Sequence, residues 1–167
     1  MATYVIPYRI GGKTRLADPR LAFAMLSDVT AAVSEIAGEA HVVDGPGGQG
    51  EAVAGALAVL RGPVTIVNAD LPCVTSAELE QLTASAPAIV SARDGTTNAI
   101  SLRDAGDFEP LYGPGSAARF AKRLGATRLA LPGMRDDVDT WDDLERVRER
   151  VGTNTREYLS QIGRAHV

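Results

Sequence analysis

The sequence is nearly empty of the residues that make covalent staples and soft-metal sites. It has one cysteine, Cys73, and two histidines, His41 and His166. A lone cysteine excludes an internal disulfide and any cysteine-rich zinc site. Set between Pro72 and Val74, it reads as a packing residue. His41 lies in an apolar run and His166 near the end of the chain, so histidine catalysis is not expected. There is no Lys/Arg cluster either, and the formal net charge is −4. That is not the basic face of a nucleic-acid binder, and no nucleic-acid partner is expected. No apolar run reaches membrane-spanning length. Met1 to Pro7 lacks the charged start and apolar centre of a signal peptide. A soluble, cytoplasmic protein with no membrane partner is expected. Any phosphate-bearing ligand must then be held locally, by a few cations, backbone amides or metal ions.

What the sequence does contain is ordinary globular material, 45% hydrophobic and 23% charged over 167 residues, enough for one domain with a sizeable core. Short apolar runs alternate with helical patterns. Strands are expected at residues 4–7, 41–43, 63–67, 88–92, 99–102 and 127–131. Helices are expected at 19–36 and 51–60, from Thr75 with Glu78 as its capping-box partner, and from 116 to about 124. A last long helix is expected from Thr140, with Asp143 three residues on. This alternation predicts an α/β fold, a mostly parallel sheet with helices on both faces. The domain is placed at residues 1–152, with a weakly patterned tail at 153–167. Such sheets bind ligands at the carboxyl ends of their strands.

Four groups of residues fall at such ends. Gly11-Gly12-Lys13-Thr14-Arg15 follows the first strand; its glycines allow close backbone approach to a phosphate, and Lys13 and Arg15 add charge. A plain turn before a surface helix is the alternative. A Walker A loop would need glycine where Pro7 stands, which disfavours a P-loop NTPase. Asp70, in Asn68-Ala69-Asp70-Leu71-Pro72, follows the most apolar strand; a carboxylate there is costly unless solvated, paired or metal-bound. In Asp136-Asp137-Val138-Asp139-Thr140, extended backbone points Asp137 and Asp139 the same way and Asp136 the other. With Asp70 they form a plausible magnesium centre for phosphoryl transfer, although acids there also favour the helix that follows. Thr96-Thr97-Asn98 and Gly113-Pro114-Gly115-Ser116 are turn sequences. The second enters a helix and is a candidate anion site through free amides and the Ser116 hydroxyl.

Taken in order, Gly-Lys-Thr-Arg-Leu, Ala-Asp-Leu-Pro, Asp-Gly-Thr-Thr-Asn, Gly-Pro-Gly-Ser and Asp-Val-Asp-Thr resemble the 2-phospho-L-lactate/phosphoenolpyruvate guanylyltransferase family of coenzyme F-420 biosynthesis, over residues 4–150. The resemblance implies a single-domain Rossmann-like nucleotidyltransferase fold, GTP as donor and Mg2+ as cofactor. It implies Asp70, Asp137 and Asp139 as metal ligands, with Asp70, Lys13 and Arg15 as the catalytic set. It places the phosphorylated acid on Thr97, Gly113, Ser116 and Arg9, the last standing where the family usually has a lysine. Gly11, Gly12, Lys13, Arg15 and Gly50 would hold the nucleotide. Glu51 stands where the family tends to carry an asparagine. A related nucleotidyltransferase with a molybdopterin or sugar-phosphate acceptor, and a non-catalytic nucleotide-binding module, are the alternatives.

Overall fold

The computed structural model describes residues 2–9, 16–45 and 47–165, with side chains to residue 163. Among these residues six strands form one sheet: β1 (Thr3–Pro7), β2 (Glu39–Val43), β3 (Val64–Val67), β4 (Ala88–Ser91), β5 (Thr97–Leu102) and β6 (Thr127–Arg128), in the order β2-β1-β3-β5-β4-β6. The pairs β1–β2, β1–β3 and β4–β6 are parallel, and β5 runs antiparallel to both its neighbours. Five of the six strands therefore point the same way, and their carboxyl ends open on one edge.

Among the described residues seven α-helices accompany the sheet: α1 (Pro19–Glu35), α2 (Gln49–Leu57), α3 (Ser76–Ala84), α4 (Ser116–Leu124), α5 (Pro132–Arg135), α6 (Trp141–Val147) and α7 (Thr153–Ala165). Period-2 alternation splits the strand side chains between two cores. Tyr4, Ile6, Val67 and Val90 pack under α1 and α3, through Val29, Val33, Leu79 and Leu82. Val5, Ile66, Ile89 and Ile100 pack on the opposite face under α2 and α4, through Val53, Leu57 and Phe120. A third cluster joins Leu21 and Met25 of α1 to Cys73, Val138, Leu144 and Leu159. Cys73 is thus a buried packing residue, and burial pushes its thiol up to about 11.

Local chemistry sets the helix starts. Asp18 accepts the amides of Arg20 and Leu21 at 3.1 Å each, with Pro19 in the first turn. The capping boxes at Thr75/Glu78 and Thr140/Asp143 both form. Elsewhere the sequence pattern and the structure differ. The final helix expected from Thr140 ends after Val147, and a second helix, α7, begins at Thr153. The break has a cause: Asp28 of α1, 6% exposed, accepts the amides of Asn154 and Thr155 at 2.9 and 3.0 Å. A side chain at Gly152 would lie 2.5 Å from that carboxylate, so the chain passes there only as glycine. The strand expected over 127–131 keeps only Thr127–Arg128, because Leu131 and Pro132 turn into α5. Helix α2 starts two residues ahead of its expected position, at Gln49.

Candidate active site

Three carboxylates meet at the open edge. Asp70 lies just past β3, and Asp137 and Asp139 lie in the extended segment between α5 and α6. One ligand oxygen from each lies within 4.8 Å of the other two. The alternation expected from extended backbone is present: Asp136 and Val138 are buried, while Asp137 is partly buried and Asp139 exposed. The segment is tied to the strand end by the Val138 amide, which donates to the Asp70 carbonyl at 3.0 Å. Its approach is set by α5, where the Gly133 amide donates to the Glu78 carboxylate at 2.9 Å. A Cβ on Gly133 would come within 2.5 Å of the Cys73 carbonyl oxygen, so glycine permits the close approach.

A ladder of amides holds the acids from behind. Gln49 Nε2 donates to Asn68 Oδ1 at 2.6 Å, and Asn68 Nδ2 donates to the Thr97 carbonyl at 3.1 Å and to Asn98 Oδ1 at 3.4 Å. Asn98, 3% exposed, donates in turn to the Met134 carbonyl at 2.8 Å and to Asp137 Oδ1 at 3.1 Å. The electrostatics of the cluster are unfavourable by themselves. Asp70 Oδ1 is buried, with no hydrogen-bond partner among the described residues. Burial, then the charges of Asp137 and Asp139, raise the Asp70 carboxyl well above the ordinary range. Asp137 is pushed up to about 6 by burial and by Asp139, against the hydrogen bond from Asn98. An unpartnered buried oxygen facing two more carboxylates is the donor set a hard cation fits.

Two hollows flank the triad. The larger, about 630 Å³, runs from the ends of β1 and β2 to β3 and is lined by Arg9, Asp18, Asp44, Gln49, Asp70 and Asp139, among others. The smaller, about 280 Å³, lies beyond Asp137 and Asp139 and is rimmed by Arg93, Arg146 and Arg150. Arg9 therefore shares a cavity with Asp70. Thr97 and Ser116 are brought together, with hydroxyls 2.7 Å apart, and both are buried. The amides expected to be free at the start of α4 are engaged: Ser116 donates to the Gly113 carbonyl at 3.0 Å and Ala117 to the Gly95 carbonyl at 3.1 Å. Gly50 packs towards Pro110 and Tyr112 and is not among the residues lining the large cavity. Gly11, Gly12, Lys13 and Arg15 lie outside the described residues.

Sequence reasoning missed Asp136. It is 4% exposed and accepts from Arg93 Nε at 3.0 Å, Arg135 Nε at 3.2 Å and Arg150 Nη2 at 2.6 Å. Burial would raise its carboxyl, but the three guanidinium groups outweigh that and hold it down at about 2. Its run of aspartates marked the segment. Nothing local marked arginines 43 and 14 residues away as partners.

The sheet order, the two helical layers and an acidic triad at the strand ends define a nucleotidyltransferase-type α/β fold, and solved structures agree. A Desulfovibrio desulfuricans protein assigned as a nucleotide-diphospho-sugar transferase superposes with a TM-score of 0.66 at 16% identity, covering 93% of this chain and 91% of that one. The 4-diphosphocytidyl-2C-methyl-D-erythritol synthase of Anaerococcus prevotii gives 0.54 at 11% identity, covering 89% and 96%. The manganese complex of Rv0371C from Mycobacterium tuberculosis gives 0.55 at 19%, covering 90% and 98%. No protein-family model matches the chain. Curated relatives narrow the class: a phosphoenolpyruvate guanylyltransferase of Nocardia farcinica is 35% identical, covering 90% of this chain and 86% of that protein. One from Streptomyces scabiei is 30% identical, covering 85% and 88%. The chain belongs to the phosphoenolpyruvate guanylyltransferase family.

Proposed function

We propose that this chain transfers GMP from GTP to phosphoenolpyruvate, or to 2-phospho-L-lactate, with release of pyrophosphate, as a step in coenzyme F-420 biosynthesis. The observation that carries the reading is the buried, unpartnered Asp70 oxygen within 4.8 Å of Asp137 and Asp139 oxygens. Family membership supports the donor and the acceptor. In the reaction, a phosphate oxygen of the acceptor attacks the α-phosphorus of GTP in line. A new P–O bond forms, the α–β bridge breaks, and the electron pair leaves on pyrophosphate. A phosphate monoester is already an anion near neutral pH, so no general base is needed.

Asp70, Asp137 and Asp139 would hold magnesium, which when bound offsets charge on the reacting phosphates. The residues of the chain do the rest. Asn98 fixes Asp137, and the Val138 amide fixes the strand end that carries Asp70. Lys13 and Arg15 are assigned to the triphosphate, with Gly11 and Gly12 giving backbone access to it; Gly50 is assigned to the nucleotide by the family resemblance, and it is Gly48 and Gln49 beside it that line the cavity. Thr97, Gly113, Ser116 and Arg9 are assigned to the phosphorylated acid. A cytoplasmic location fits a reaction between soluble phosphates, and among the described residues no helix is long and apolar enough to cross a membrane. A coupled pyrophosphate-release assay over four NTPs, with phosphoenolpyruvate, 2-phospho-L-lactate, a sugar phosphate and a molybdopterin as acceptors, tests the reading. The expected outcome is magnesium-dependent turnover with GTP and phosphoenolpyruvate. Turnover only with another pair would overturn it.

A further inference from the structure

The large cavity has two chemically different ends. At one end lie Asp70 and Asp139; at the other, past the edge strand, lie Val43, Asp44, Gly45 and Ala52. Strands β2 and β3 flank β1, so their ends are about 10 Å apart, two strand spacings. That span suits a nucleotide with its phosphates at the triad and its base at the end of β2. Val43 and Ala52 give this end apolar walls, suited to a base plane.

Among the described residues four carboxylates line the cavity: Asp18, Asp44, Asp70 and Asp139. Asp70 and Asp139 belong to the triad. Both oxygens of Asp18 are engaged, Oδ1 by the amides of Arg20 and Leu21 and Oδ2 by the Tyr158 hydroxyl at 2.5 Å. Asp44 is different. Its Oδ1 accepts the Gly45 amide at 2.8 Å, which orients the group, and no described residue donates to Oδ2. A guanine ring presents two donors on one edge, N1–H and the 2-amino group, and a carboxylate accepts both. Adenine presents a bare acceptor at N1, and hypoxanthine lacks the amino group. We infer that Asp44 is the residue that selects a guanine base, by accepting hydrogen bonds from that edge at the β2 end of the cavity. The inference rests on the nucleotidyltransferase reading above.

The test measures binding and turnover separately. Dissociation constants for GTP, ITP and ATP are measured by calorimetry on the full chain with magnesium, for wild type, Asp44→Asn and Asp44→Ala. Turnover of GTP with phosphoenolpyruvate is run alongside. Wild type is expected to bind GTP at least roughly tenfold more tightly than ITP or ATP. Both variants should bring the three constants to within about threefold, through weaker GTP binding, as expected when a charged acceptor is lost. Asp44 is exposed, so both variants should keep the wild-type melting temperature. A wild type without guanine preference, or variants that retain it, would overturn the assignment. Guanine-selective binding that vanishes in the variants, with no turnover of phosphoenolpyruvate, would uphold Asp44 and overturn the proposed acceptor instead.

Discussion

Asp136 and Asp137 are neighbours in sequence and opposites in chemistry. Asp136 is sunk among three guanidinium groups and its carboxyl is held at about 2. Asp137 faces two other carboxylates and is pushed up to about 6. One residue of extended backbone separates a satisfied charge from a frustrated one, because alternate side chains leave on opposite sides. The satisfied side anchors the segment; the frustrated side stays poor in partners so that a cation has something to gain there. A site of this kind needs both, since carboxylates that repel one another hold their positions only if their backbone is fixed elsewhere.

The sharpest way to break the contrast is Asp70→Asn. Turnover should fall on the order of 10²-fold or more, as expected for a lost metal ligand. The metal-free protein should melt no lower than wild type, because an unpartnered buried carboxylate has been removed. Near-normal pyrophosphate release at saturating magnesium would show that the triad is not the reaction centre. Next in size, Asp137→Asn and Asp139→Asn should each raise the magnesium midpoint by roughly tenfold in a titration of activity, about one lost charged ligand contact. Equal midpoints in wild type and both variants would remove the metal from this segment.

Asp136→Asn turns the comparison round. Its main effect should be on stability, a loss of about 1–3 kcal/mol, less than for a fully buried pair because the arginines are about half exposed. Thermal melting checks this; an unchanged midpoint would mean the three contacts contribute nothing net. The smallest effect should be in pH. Asp70 and Asp137 have folded-state values above the unfolded one, so the folded form binds more protons in that window and metal-free stability should fall as pH rises from about 4 to about 6. Asp136 has a depressed value; its contribution is present above about pH 4 and is lost as pH falls towards 2. Melting curves without metal at pH 5 and 7 should therefore show a higher midpoint at pH 5, with the difference reduced in Asp137→Asn. A higher midpoint at pH 7 would contradict the raised values.

The parts of this arrangement legible in the sequence are the local ones. Alternation predicted that Asp137 and Asp139 share a side, and the two capping boxes were visible in the spacing of Thr75 with Glu78 and Thr140 with Asp143. The end of β3 was marked by an apolar run stopping at Asn68-Ala69-Asp70. What stayed hidden depends on residues far apart in the chain. Asn98 reads as a turn residue, yet it donates to the carbonyl end of α5 and to Asp137 only because β5 lies beside β3. Asp136 reads as surplus charge until Arg93 and Arg150 are brought to it. The start of α7 is set by Asp28, more than a hundred residues earlier, which no local periodicity records.

That last contact has a consequence for how the protein is made. Helix α1 leaves the ribosome well ahead of the partners of Asp28, Asn154 and Thr155, which follow 126 and 127 residues later. The same holds for Asp18 on the cavity wall, whose Tyr158 partner is 140 residues downstream. Until α7 emerges, α1 must therefore hold the Asp28 carboxylate without these partners, on the face that α7 will cover. Closing so long a loop is slow compared with forming any helix, so docking of α7 is a natural late step in folding. The cavity wall that Asp18 helps to form takes its final shape when α7 arrives, not when the neighbouring strands pair.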